Sequence, residues 1–237
     1  MRSSLSPARL AFAGVSIAVL AAAIGLLLLS IPPVVGLGDK VKLPLFHGGS
    51  TWVDLMIFTL MGVAAIAYLV TRNDRVYAWE VGFRAVAAPL WFVNSVLGFI
   101  AASSTWDFSA SKESPLVVIP ADPRLSAQIV LLLGVVVVVL ADWLVFDKRL
   151  HKAIVDLLYV VVMWGLMANI FLDPVKRALH PDSPVMNSGW EIKAPFFAMA
   201  VAIFAAMIVL SWVAASFVHP APLPAEQNAE RPDESAG

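Results

Sequence analysis

The stretch 125–145, LSAQIVLLLGVVVVVLADWLV, carries a single ionisable residue, Asp142, and almost no polar relief. About 20 apolar residues at 1.5 Å per residue are what a helix needs to cross the hydrocarbon core of a bilayer. Inside lipid every backbone N–H and C=O must be satisfied within the segment itself, so such a run is helical. Five further runs have the same character, at 10–35, 51–70, 85–102, 153–172 and 195–218. The expected fold is therefore all-α: a polytopic integral membrane protein with six transmembrane helices. The first run exceeds the apolar region of a signal peptide and shows no small-residue cleavage site before Pro32 and Pro33, so it reads as a retained span.

Six spans place both termini on one side. Loops 36–50, 103–124 and 173–193 are long, whereas 71–84 and 146–152 are short and basic. Arg2, Arg9, Arg72, Arg75, Arg84, Lys148, Arg149, Lys152 and Arg231 fall on the side of the termini. Lys40, Lys42, Lys112, Arg124, Lys176, Arg177 and Lys193 fall opposite. The first set is concentrated in short turns, which by the positive-inside rule makes that side cytoplasmic. The reading is a cytoplasmic N-terminus at 1–9, a membrane domain at 10–218 and a disordered cytoplasmic tail at 219–237 rich in Pro, Ala and Glu. It implies an inner (plasma) membrane protein in contact with lipid.

Charged residues make up only 14% of the chain and its net charge is −1, so nothing points to nucleic acid. The absence of cysteine excludes disulfides, iron–sulfur ligation, thiol catalysis and thioether attachment of haem to this chain. Nucleotide-loop, nucleophile-elbow and zincin motifs are also missing, so no enzymatic activity is expected.

What remains is four histidines, a set of tryptophans and a few polar groups within spans. On this topology His47 and His180 share the outer face at helix–loop junctions, and His151 and His219 share the inner one. Histidine ligates metals and haem iron, so two outer histidines are able to bracket one planar cofactor; two ordinary interfacial imidazoles explain the same pattern. Most tryptophans lie near span ends, as an aromatic belt does. Trp106 and Trp190 lie in outer loops, where the belt explains them less well. Asp54, Asn94, Gln128, Asp142, Asp156 and Asn169 are polar residues within spans. The first, third, fourth and fifth stand near span ends and are expected to reach the interface, and Asn94 and Asn169 lie deeper; interhelical hydrogen bonding accounts for such residues better than a proton path does. Asp122 and Arg124, in ADPRLS, stand just before the fourth span as an interfacial ion pair or as a partner for an acidic ligand.

In order, FHGGSTWVDLMIFTLMGVAAIAYLV, ADPRLSAQIVLLL, FDKRLHKAIVDLLYV and ALHPDSP resemble segments of the cytochrome c assembly protein family, the CcmC/CcsA type, and most closely the six-span CcmC type. The resemblance covers about residues 10–215 and lies in the order of the motifs rather than in any one of them. It implies haem b held at the outer membrane face, with His47 and His180 as axial ligands of the iron. It also implies an apolar cradle from Trp52, Trp106 and Trp190, with Asp122 and Arg124 in the adjoining loop. The partners it implies are a periplasmic haem chaperone and other cytochrome c maturation subunits. The family's tryptophan- and glycine-rich loop is here SPLVVIP, with Trp106 sixteen residues before Asp122. That departure supports an alternative, a cofactor-free structural or anchoring subunit of a larger membrane complex.

Overall fold

The computed structural model describes residues 6–108, 113–144, 148–178, 185 and 187–218. Among these the protein is helical: α1 (Pro7–Ser30), α2 (Lys42–Thr71), α3 (Asp74–Thr105), α4 (Pro115–Ala121), α5 (Pro123–Leu144), α6 (Arg149–Leu172), α7 (Pro174–Ala178) and α8 (Trp190–Ala215). Six of them, all but the short α4 and α7, are long and apolar enough to cross a membrane, and the chain is a multi-pass membrane protein.

The helices overrun the apolar stretches from which they were expected. The second span was placed from Thr51, but α2 begins at Lys42, so Pro44, His47, Gly48 and Gly49 are helical residues rather than loop. The basic loop expected at 71–84 shrinks to two residues. Arg72, in the left-handed conformation at φ 55°, ends α2, and Asn73 begins α3 by accepting a hydrogen bond from the Arg75 N–H at 2.8 Å. Arg75 and Arg84 are thus helical, and Arg84 is buried. Hydropathy misses such ends because polar residues that cap or extend a helix at the interface interrupt the apolar run without interrupting the hydrogen bonding.

α2 is the central helix. Over half of its apolar window, 56%, is buried within the protein, against 6% for α1, which leans chiefly on α8. α3, α6 and α8 surround α2, and α5 closes the bundle against α6 and α3. The core between them is built from Phe58, Met61, Trp91, Leu131, Met163 and Met199. Because lipid tails are as apolar as leucine, helices associate through close packing at small residues. Gly62 lets α2 meet Val160 of α6, with a Cβ at that position 3.0 Å from its methyl carbon. Gly82 lets α3 lie directly on the backbone of α8 at Ser211 and Ala215. Gly82→Ala is therefore expected to cost about 1–3 kcal/mol by overpacking, read as a lowered thermal midpoint in detergent. Gly25→Ala, where a methyl meets nothing within 4 Å, is expected to leave the midpoint unchanged or raise it.

Candidate functional site

The antiparallel arrangement gives the bundle two faces. One, the end face, is where α1 begins and α8 finishes. At the opposite face the N-terminal halves of α2 and α5 meet the C-terminal halves of α3 and α6, and these four ends enclose a cavity of about 290 Å³. His47, Thr51, Trp52 and Leu55 enter it from α2. Trp91, Gly98, Ala102 and Thr105 come from α3, Arg124, Leu125 and Gln128 from α5, and Met167, Ile170 and Phe171 from α6. Trp106 and Leu37 complete the mouth.

Each functional side chain is placed by an identifiable local device. His47 lies one turn into α2, and its carbonyl accepts the Thr51 hydroxyl at 2.7 Å. Its imidazole lies against α3 where residue 98 has no side chain: a Cβ there would stand 2.7 Å from Cε1 and 2.9 Å from Nε2, and 3.3 Å from Gln128 Oε1. Gly98 is thus the notch that seats the ring beside Gln128. Below it the Ser50 hydroxyl donates to Asn94 Oδ1 at 2.7 Å, locking α2 to α3.

Arg124 owes its position to Asp122. The Asp122 carboxylate accepts from the backbone N–H of Arg124 at 2.9 Å and of Leu125 at 3.1 Å, with Pro123 as the first helical residue, a strong helix-start arrangement. The Arg124 guanidinium then lies 5.8 Å from the Phe171 ring centroid, and Phe171 stacks on Trp52 at 5.6 Å and 20°. One wall of the cavity is therefore a tryptophan, a phenylalanine and a cation in series. Trp91 forms the floor. It is buried, and its indole N–H donates to the backbone carbonyl of Gln128 at 3.2 Å. The N-termini of α2 and α5 point to this face, so their dipoles add to the Arg124 charge in favouring an anionic group there.

Of the seven residues singled out from sequence, His47, Trp52, Trp106 and Arg124 line this one cavity. Asp122 does not line it and acts as the cap of α5. Trp190 begins α8, is 74% exposed and does not line it either. His180 lies outside the described residues, as do His219 and the tail. His151 starts α6 at the end face, the full length of that helix from the cavity.

Three polar residues expected to reach the interface do not. Asp54 and Asp156 are wholly buried and Gln128 nearly so, because α2, α5 and α6 overrun their apolar runs and carry these positions inward. Asn94 makes the interhelical bond expected of it, and Asn169 accepts instead from Lys176 of α7. Trp91, Gly98 and Phe171 were missed. A signal for Trp91 existed, since it lies inside an apolar run rather than at its edge. Gly98 and Phe171 look like ordinary span residues.

Chemically, the cavity offers an imidazole, a guanidinium, an amide and three indole faces within apolar walls. That set suits a flat, largely apolar ligand bearing a carboxylate. No family model matches the chain, and a search of curated proteins finds no match to it.

Proposed function

We propose that the cavity receives haem b at the outer face of the cell's inner membrane, as a haem-handling step in cytochrome c biogenesis, with the termini cytoplasmic. The observation that carries this reading is the convergence of His47, Arg124, Trp52 and Trp106 from separate parts of the chain on one cavity. The order of the sequence motifs, which resembles that of the CcmC type, supports the same reading.

The residues fit the group in kind. Imidazole is a usual axial ligand of haem iron, a guanidinium pairs with carboxylates in charge-assisted hydrogen bonds, and aromatic faces shelter a planar ring. The cavity is small beside typical ligand sites, which suits an edge of the macrocycle rather than full enclosure. His47 would hold the iron, Arg124 a propionate, and Trp52, Trp91 and Phe171 the apolar edge. His180 would supply a second ligand to the iron in this reading, and a periplasmic chaperone would take the haem onward. When bound, the iron supplies only a coordination bond that a recipient can exchange; the chain itself binds, orients and shields.

Titration of haemin into the purified protein in nanodiscs, followed in the Soret region, tests the reading. A saturable band at one haem per chain is expected, and an unsaturable, detergent-like response counts against it. Arg124→Gln is expected to weaken binding by about 1.5–3 kcal/mol, the worth of a hydrogen bond to a charged group, with the band position unchanged.

The alternative, a cofactor-free anchoring subunit, is favoured by one observation. The segment that replaces the tryptophan-rich loop forms α4, and its Leu116 and Val117 face outward. Under that reading the protein co-purifies with other chains and shows no haem absorbance.

A further inference from the structure

The end face of the bundle holds a second polar cluster, unconnected to the cavity. Arg84 of α3 donates to Asp156 Oδ2 of α6 at 2.9 Å and pairs with Asp142 of α5 at 3.2 Å. Lys152, one turn before Asp156 on α6, reaches the same Asp142 at 3.1 Å. Glu80 lies one turn before Arg84 on α3. It is 0% exposed, as is Asp156, and it faces that residue.

Among the described residues no donor reaches either carboxyl oxygen of Glu80 or the Oδ1 of Asp156. Ionised carboxylates only accept hydrogen bonds, so two of them in contact, sealed from water, repel and leave acceptors unsatisfied. A protonated carboxyl is also a donor, and one proton between the pair removes both faults. The charges agree. Among the described residues three carboxylates, Glu80, Asp142 and Asp156, face two cations, Arg84 and Lys152, leaving −1, which one proton cancels. Tyr77, which also lies against Arg84, is neutral as a phenol, and Arg149, 4.8 Å from the Tyr77 ring centroid, is offset by its pair with Asp74, so neither alters the count.

We propose that Glu80 and Asp156 form a proton-binding site between α3 and α6, sharing one proton across their carboxyl oxygens. The ligand is a proton from the aqueous phase at the end face. Its binding converts one carboxylate to a carboxylic acid and consumes nothing else. Its loss sets two bare carboxylates against each other across the α3–α6 contact, so the site ties protonation to the packing of these helices. Nothing in this proposal depends on haem.

Infrared spectroscopy of the full-length protein in nanodiscs at neutral pH tests it. A neutral carboxylic acid C=O band that shifts in D2O is expected, lost in Glu80→Gln and kept in Asp54→Asn, since Asp54 is, among the described residues, the other wholly buried carboxyl without a donor. Should Glu80→Gln not fold, wild-type protein with carboxyl-¹³C glutamate or aspartate serves: the band moves with one label or the other, and also does so in Asp54→Asn protein. A wild-type spectrum with no neutral carboxyl band, or a band that vanishes wholly in Asp54→Asn, overturns the proposal.

Discussion

Arg84→Met is expected to be among the most destabilising single substitutions in this protein, at about 3–5 kcal/mol. Arg84 is buried at the junction of α3, α5 and α6, and its removal strands Asp156, which is 0% exposed, without the cation that pairs with it. The attraction within a buried pair largely offsets the cost of desolvating its members, so the loss reflects the orphaned charge and not the worth of the pair itself. The double variant Arg84→Met with Asp156→Leu is therefore expected to recover most of the loss. Arg149→Met, which breaks the more exposed pair with Asp74 at 2.8 Å, is expected to stay within about 1 kcal/mol of the parent. Unfolding midpoints in a single detergent read all three. A double variant no more stable than Arg84→Met would show that the arginine acts through packing rather than charge.

His47→Ala is expected to lower haem occupancy by about tenfold or more, and Gly98→Ala to do so by a similar factor although residue 98 has no side chain to ligate with. Groups that orient a metal-binding histidine commonly matter about 10–100-fold, and a methyl at 98 would occupy the space now filled by His47 Cε1 and Nε2. His180→Ala is expected to behave like His47→Ala. His151→Ala, at the far end of α6, is expected to match the parent. Quantifying bound haem per chain after identical purification separates the outcomes. A normal haem content in Gly98→Ala would mean that the seat of the His47 ring against α3 does not matter.

The six spans were legible in the sequence because lipid imposes one rule on all of them: an apolar surface and an internally bonded backbone. The runs around Val138, Met163 and Ile203 follow it, with Asp142, Asp156 and Asn169 as polar interruptions. Helix ends were less legible. Lys42, Asp74 and Trp190 are interfacial residues that hydropathy treats as loop, whereas capping and backbone bonding carry the helices through them.

The same overrun explains why Arg84 and Asp156 were misplaced. Each looked like a residue within reach of water, and each proved buried because its partner arrives from another helix. No single-strand pattern announces such a partner, since Arg84 and Asp156 are 72 residues apart.

At the cavity, His47 and Arg124 stood out because an imidazole and a guanidinium beside a span need a reason. Asp122 stood out beside Arg124, and its carboxylate serves the backbone of α5, a task that the sequence Asp-Pro-Arg also signals. Gly98 could not stand out, because a glycine in an apolar run is common and its use depends on a ring supplied by α2.

The measurement that bears most directly on the account is the absorbance spectrum, oxidised and reduced, of the full-length protein purified from haem-replete cells, taken beside His47→Ala. The account predicts a Soret band with b-type reduced peaks in the parent, diminished in the variant. A featureless spectrum from folded parent protein would contradict it and leave the cofactor-free anchoring subunit as the reading of this cavity.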